Sequence, residues 1–513
     1  MTKVSFRLAS LLDPFKRPRT QLLTVLALAL VVRLIGVNSK PIWYDEAFSV
    51  LFSDKGPANI LAGTLRLDPD STSADLHPPL YYFLLWGWIQ IFASSLLSIR
   101  LPSILAGLGI VAMAYLLSTH WLSHRIGIAS GILIALAPFQ VHYSQEIRMY
   151  SFAALFLCLA FYSLQMGRQT GRSVWWLGFA LSAALAQYTH NISVFFIVVF
   201  IIPVLLSKDR KSIISLAWSS FVALLIYLPW LVWLPSQFAN IQRGYWIQTP
   251  GWERLFTLFL LYLPNLPVQN KWILALLMMS TFIITLCIYQ TILVKDTRSK
   301  LTGLWLFYYS FAPPFLIWLV SQIWPVYLER SFLPSQIFFC LWLGWVFFET
   351  RIPQAVSIAL IGLIAFLFFY GLFQNITNSK FPYADFAHLA EYLQNERRNG
   401  DVIIHSNKLT LLPTLYYDHT LPQTYIVDRP GGDTDTLSPA TIDVLDLDPS
   451  KDVASAVDLA PRVWFIIFQE SVDEYTLAGY PTHAHLVYLN ETFKAHSVIQ
   501  WDDLLLYQFQ QRN

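Results

Sequence analysis

Residues 21–50 read QLLTVLALALVVRLIGVNSKPIWYDEAFSV, an apolar run followed by an adjacent acidic pair, Asp45 and Glu46. The run over 21–37 approaches the ~20 residues that a helix needs to cross a bilayer, and it predicts a first membrane span. Five cations precede it: Lys3, Arg7, Lys16, Arg17 and Arg19. By the positive-inside rule they hold residues 1–20 in the cytoplasm, and the span delivers the acidic pair to the opposite side. No small-residue cleavage site stands before Lys40, so the run reads as a retained span rather than a signal peptide.

The whole chain supports that start. Its 513 residues are 55% hydrophobic, 16% aromatic and 13% charged, against about 25% charged in soluble proteins. This composition excludes a water-soluble enzyme and predicts a polytopic protein of the plasma (inner) membrane. The net charge of +2 conceals a division: residues 1–374 hold 25 Lys and Arg against 13 Asp and Glu, and residues 375–513 hold 9 against 19. The basic excess reads as topology signal rather than a nucleic-acid surface, since no basic patch is interleaved with aromatics. Cys158, Cys287 and Cys340 all fall in apolar runs, against both a disulfide framework and a cysteine-based zinc site.

Residues 80–97 decide the topology. If they crossed the bilayer, Arg125, Arg168 with Arg172, and Lys208, Arg210 and Lys211 could not all lie inside. Placed on the outer surface as an amphipathic or re-entrant helix, they leave all of these inside. Spans near 101–118, 126–142, 150–166, 174–190, 191–207, 212–232, 272–294, 301–323, 332–349 and 354–374 then follow. Lys295, Arg298, Lys300 and Arg351 also fall inside. The expected fold is an all-α membrane domain over 21–374 with about 11 spans and an outer loop 38–100. A small α/β extracytoplasmic domain over 375–513 follows. In it DFAHLAEYLQNERRNGD predicts a helix from Phe386, Leu389 and Leu393, while VIIHS, RVWFIIF and LLLYQF predict strands. The stretch GGDTDTLSPATIDVLDLDPS reads as loop or weak helix.

Only six acidic residues lie between positions 80 and 350. Asp209, Asp296 and Glu349 fall in inner loops beside cations, where solvation explains them, whereas Glu146, Glu253 and Glu329 fall at the outer face. A charge at a helix centre costs about 2.5–3.5 kcal/mol on insertion scales, so those at span ends call for a partner or a role. The outer polar groups gather in PIWYDEAFS (41–49), DLHPPLYY (75–82) and HYSQEIRMY (142–150). A carboxylate at the bilayer rim can accept the proton of an attacking hydroxyl, and a nearby Arg or His can stabilise a leaving phosphate. Taken singly, Asp45 and Glu46 also fit a helix cap, Glu146 with Arg148 an ion pair, and His77 a hydrogen-bonded loop residue.

Together and in this order, Asp45 with Glu46, then HPPL, then QEIRMY resemble the GT-C membrane glycosyltransferases. The resemblance is to the branch holding the protein O-mannosyltransferases, the lipid A aminoarabinose transferases and the bacterial family-39-type sugar transferases. It covers most of 20–350, is strongest over 41–166, and extends to PVYLERSFLPSQ (325–336), where Phe332 stands at a position at which Tyr is common. The resemblance implies a sugar donor on a polyprenyl phosphate and inverting transfer at the extracytoplasmic face to a lipid, glycan or protein acceptor. Asp45 would be the catalytic base and Glu46 its partner in orienting the acceptor. His77, Arg148 and Arg330 would face the donor phosphate, with Tyr44, Gln145, Glu146, Tyr150 and Glu329 lining the substrates. His77 and Phe48 depart from the Lys and Arg of the aminoarabinose transferases, so that donor is not expected to be used in the same way.

The chemistry agrees with this. A polyprenyl phosphate is a tolerable leaving group, so the protein must activate a hydroxyl, bind phosphate and exclude water. A nucleotide sugar would want a glycine loop after a strand, and the sequence has none. Trp43, Tyr44, Tyr81, Tyr82, Tyr143, Tyr245 and Trp246 suit either sugar stacking or an interfacial aromatic belt. Asp45, Glu46, His77, Glu146 and Glu329 could donate to a divalent metal, but their spacing defines no metal site and no cofactor is expected. The alternatives are a transporter or lipid-linked-glycan flippase, a glycan polymerase or ligase, and a scaffold for the C-terminal domain. A transporter should carry midplane polar groups in paired halves, and Pro138, Pro203 and Pro229 form no such repeat.

Overall fold

The computed structural model describes residues 18–65, 77–92, 94–235, 247–427, 437–457 and 460–512. The cations Lys3, Arg7, Lys16 and Arg17, the aromatic pair Tyr245 and Trp246, and the first part of the GGDTDT stretch lie outside them. The chain divides into two compact units, one of 1–37, 100–232 and 247–376, the other of 38–99, 233–246 and 377–513.

In the first unit every apolar segment read as a span carries a helix. The helices are Pro18–Leu34, Leu96–Trp121, His124–Leu136 continued by Pro138–Ser144, Tyr150–Thr170, Ser173–Thr189, Ser193–Leu206, Arg210–Leu231, Ile273–Leu293, Thr297–Val320, Leu333–Glu349 and Gln354–Thr377. Among the described residues seven helices are long and apolar enough to cross a membrane, and the pair bent by 59° at Ala137 makes an eighth. Asp209 and Asp296, read from sequence as solvated loop residues, each cap a helix. Asp209 caps Arg210–Leu231 by accepting from the Lys211 and Ser212 amides, and Asp296 caps Thr297–Val320 by accepting from the Ser299 amide. Leu333–Glu349 is the central helix, buried continuously from Leu333 to Val346. Gly371 lets the last helix close on the bend, because a Cβ there would sit 1.9 Å from the Pro264 carbonyl oxygen and 2.7 Å from the Pro138 ring.

In the second unit the helix Leu80–Ile91 has 12 residues, about 18 Å of rise against a hydrocarbon core of about 30 Å. It follows Pro78 and Pro79 and does not span. Its Tyr82 packs edge-on against Phe52 and Phe48 of the helix Tyr44–Asp54, at 5.1 and 6.1 Å between ring centroids. Tyr44–Asp54 also packs on Lys408–Tyr417, and Pro57–Leu65 on Pro439–Leu445. The helices Tyr44–Asp54 and Pro57–Leu65 are thus built into one body with the C-terminal chain.

That body centres on a six-stranded sheet: β1 (Val402–His405), β2 (Gln423–Ile426), β3 (Pro449–Ser450), β4 (Arg462–Phe468), β5 (Phe493–Trp501) and β6 (Leu504–Gln511), in the order β3-β2-β1-β4-β6-β5. The first four are parallel, with β6 and β5 added antiparallel. RVWFIIF is apolar without alternation because β4 is central and covered on both faces. The helix Phe386–Glu396, capped by Asp385, covers one face. At the β4 entrance the Asp401 carboxylate is buried and accepts from Arg462, Trp464 Nε1 at 2.8 Å and the Arg398 amide at 2.9 Å. Burial opposes its charge, but these donors outweigh it and hold Asp401 below the usual carboxylate range.

Candidate active site

The residues singled out in the sequence fall in both units. Tyr44, Asp45, Glu46 and His77 belong to the second unit; Gln145, Glu146, Arg148, Tyr150, Glu329 and Arg330 belong to the first.

Asp45 and Glu46 are not in a loop but in the first turn of the helix Tyr44–Asp54. Unpaired N–H groups at that end of a helix favour negative charge, which explains why two adjacent acids stand there. Glu46 is fully buried while Asp45 is half-buried. Ser49 Oγ donates to the Asp45 carbonyl at 2.9 Å, tightening the turn. Lys40 lies over the Tyr383 ring at 4.4 Å and Trp43 meets the same ring edge-on at 6.1 Å, fixing the approach to the helix. His77 is half-buried in the bend that leads through Pro78 and Pro79 into Leu80–Ile91.

In the first unit HYSQEIRMY spans a second interruption. The helix Pro138–Ser144 ends, residues 145–149 turn, and Tyr150 starts the next helix. Glu146, Arg148 and Tyr150 are all buried. Arg330 stands over the Tyr150 ring, 5.3 Å from guanidinium carbon to centroid, in cation–π contact. Tyr150 packs on Tyr143 at 5.4 Å and on His190 at 5.7 Å. Arg148 and Arg330 both act electrostatically on His190, and Glu146, Glu329 and Arg330 on Tyr143. Glu146, Arg148, Tyr150, Glu329 and Arg330 therefore share one neighbourhood. Glu329 also pairs with Arg254 at 2.7 Å. Phe332 offers no hydroxyl, but Tyr327 beside it donates to the Arg254 carbonyl at 3.0 Å. Burial, with Glu329 adding to it, pushes the Tyr327 hydroxyl above its ordinary range and keeps it protonated.

Four further polar residues complete this neighbourhood and were not singled out from sequence. His142 bonds Glu146 at 2.9 Å and Asn375 at 2.6 Å. His190 packs against Tyr150 with its ring tilted by 43°. Arg33, fully buried, reaches the carbonyls of Ile134 at 3.5 Å and Ala135 at 3.2 Å and Ser144 Oγ at 3.1 Å. Pro138 has no N–H to offer Ile134, so the guanidinium satisfies helix-end carbonyls that the bend leaves bare. Of the four only His142 had a local signal, its i,i+4 spacing to Glu146. Among the described residues no three His, Cys, Asp or Glu side chains are grouped to hold a metal ion.

Residues 76–233 match the family described as dolichyl-phosphate-mannose-protein mannosyltransferase. No curated protein matches the chain at a significant level. Among solved structures, ArnT from Cupriavidus metallidurans in the apo state aligns over 95% of this chain and 97% of its own, at 12% identity and a TM-score of 0.62. The same protein bound to undecaprenyl phosphate gives the same coverage, identity and score. The apo oligosaccharyltransferase from Archaeoglobus fulgidus aligns over 94% of this chain and 74% of its own, at 13% identity and a TM-score of 0.54. The family match thus covers the segment holding His77 and QEIRMY, and the chain as a whole shares the fold of ArnT.

Proposed function

We propose that the protein transfers a sugar from a polyprenyl-phosphate donor to an acceptor hydroxyl at the extracytoplasmic face of the plasma membrane, inverting the anomeric carbon. The observation that carries this reading is the gathering of buried Arg148 and half-buried Arg330 about His190 and Tyr150, a cationic group suited to a phosphate ester. A relative of the same fold with undecaprenyl phosphate bound supports a lipid phosphate as the ligand. In the proposed step the acceptor oxygen bonds the anomeric carbon and its proton passes to the Asp45 carboxylate. The carbon–oxygen bond to phosphate breaks with its electron pair left on the phosphate, whose charge His77, Arg148 and Arg330 stabilise. Glu46 orients the acceptor, and Tyr44, Gln145, Glu146, Tyr150 and Glu329 line the substrates. The step needs no resident cofactor, and EDTA should leave it intact.

Native mass spectrometry of the detergent-purified protein with undecaprenyl phosphate tests the carrier without knowledge of the sugar. Arg148→Ala and His77→Ala should each weaken specific binding, and a folded wild type that binds no lipid phosphate would refute the reading. Asp45→Asn should keep lipid binding and lose transfer by about 10²–10⁴-fold, the worth of a general base. Retention of about a tenth of the activity would remove Asp45 from that role.

A further inference from the structure

Between the helices Ser173–Thr189 and Ser193–Leu206 the chain turns through His190, Asn191 and Ile192. The turn is held from several directions. Asn191 Oδ1 accepts from the Tyr227 hydroxyl at 2.8 Å and from Trp230 Nε1 at 3.2 Å, both on the helix Arg210–Leu231. Ser193 Oγ donates to the Ala186 carbonyl at 3.0 Å, tying the start of the second helix to the end of the first. Within this frame the Ile192 amide donates to His190 Nδ1 at 3.2 Å. An amide N–H can only donate, so Nδ1 presents its lone pair and carries no hydrogen. The ring is therefore neutral, and its one N–H is on Nε2.

His190 is buried where the cations of this unit gather. Its ring lies 5.7 Å from that of Tyr150 between centroids, and Arg330 stands over the same Tyr150 ring at 5.3 Å. Arg148 and Arg330 both act on it electrostatically. The two guanidinium groups supply the charge that an anion needs. A neutral N–H adds direction, a hydrogen bond to a charged oxygen made without burying a third cation. We propose that His190 is a further donor-binding residue, whose Nε2–H bonds a phosphate oxygen of the polyprenyl-phosphate sugar beside Arg148 and Arg330. The proposal rests on the donor-phosphate reading above. His190 lends a hydrogen bond and keeps its proton, so the phosphate leaves as an anion and nothing is transferred from the ring. The sugar donor and the released carrier share that phosphate, and the carrier alone reports on the bond.

The test is retention of undecaprenyl phosphate by the full-length protein in detergent, compared by native mass spectrometry for wild type, His190→Gln and His190→Phe. The amide nitrogen of Gln can take the place of Nε2 and still donate, whereas Phe keeps a ring against Tyr150 and has no donor. Loss of a hydrogen bond to a charged group should weaken binding by about 10–100-fold in His190→Phe. His190→Gln should recover most of that loss. A ring that serves packing alone gives the reverse order, with Phe near wild type and Gln the weaker. Undecaprenol, the same chain without the phosphate, should bind all three proteins alike. A difference that persists with undecaprenol means damage to the fold or to the lipid groove and overturns the proposal.

A readout free of ligand separates its failure from that of the functional reading. Histidine-selective 15N NMR, assigned by His190→Gln, should find His190 neutral with its hydrogen on Nε2. A ring protonated on both nitrogens, or with its hydrogen on Nδ1, overturns the proposal even where the lipid binds. Binding of the lipid phosphate with His190→Phe as tight as His190→Gln, or tighter, also overturns it and leaves the phosphate reading standing. A folded wild type that binds no lipid phosphate sinks both.

Discussion

Replacing Arg33 by Met keeps an apolar stem of similar length and removes the guanidinium from the bend at Ala137. Arg33 is completely buried and donates to the carbonyls of Ala29 at 3.2 Å, Ala135 at 3.2 Å and Ile134 at 3.5 Å and to Ser144 Oγ at 3.1 Å. The Ala29 carbonyl lies in the Arg33 helix itself and keeps its place there. The carbonyls of Ile134 and Ala135 do not, because the helix ends at the bend and the next residue in line is a proline. Each buried acceptor left bare costs about 1–3 kcal/mol, so the substitution should cost about 2–6 kcal/mol. At about 2 °C per kcal/mol the apparent Tm should fall by about 4–12 °C. Gly107 sharpens the comparison, since a Cβ there would meet Ser144 Oγ at 2.2 Å and Arg33 Nε at 2.9 Å; the guanidinium is packed in and cannot be replaced by water at no cost. The assay is thermal unfolding of the full-length protein in one detergent, with Arg33→Lys expected to fall between the two. An Arg33→Met protein that melts within about 1 °C of wild type would refute the argument that the guanidinium satisfies the broken helix.

Three further outcomes are expected. Gly371→Leu drives a side chain into the Pro264 carbonyl, where even a Cβ would sit 1.9 Å away, and should abolish a monodisperse peak in size-exclusion chromatography; a normal peak would mean that the last helix does not close on the bend. Burial lowers His405 to about 3 against about 6.5 unfolded. The folded value is thus the depressed one, and its contribution is whole above pH 6.5 and lost as pH falls toward 3, by up to about 1.4 kcal/mol per unit. Hydrogen-exchange protection of β1 and β4, corrected for intrinsic rates, should drop between pH 7.5 and 5 in wild type and drop less in His405→Gln; equal slopes would count against it. All three native cysteines are buried, so new ones at the exposed positions Lys55 and Gln169 can be read with an impermeant thiol reagent. Position 55 should label from outside and 169 should not, and the reverse pattern would overturn the topology.

Much of the fold was legible because its causes are local. Apolar runs long enough to span a bilayer gave the long helices of the first unit, though not the ten-residue helix Glu253–Tyr262, and the proline pair before Leu80 with the cations of later loops gave a short helix instead of a span. The periodic Phe386, Leu389 and Leu393 marked the first helix of the C-terminal region, and the dense apolar run of β4 marked a strand. The strands β2, β3 and β5 escaped notice because they owe their form to ladder partners rather than to a strong pattern of their own. In the site, the acids and arginines stood out because ionisable groups are rare among apolar segments. Asn375, Arg33 and His190 did not, since a polar residue near a span end reads as ordinary until its partner is known.

The sequence by itself therefore determined which long apolar segments are helical, which residues are charged beside them, and that the protein belongs to membrane rather than to water. Only the tertiary structure decided that the acidic helix Tyr44–Asp54 is built into one body with the C-terminal sheet. Only it brought His142 to Asn375, 233 residues away, and Arg33 to the carbonyls of a helix about a hundred residues on. The physical reason is that hydropathy and helix capping act over a few residues. A buried hydrogen bond between distant segments leaves no mark on either until the chain has folded and each polar group must find its partner.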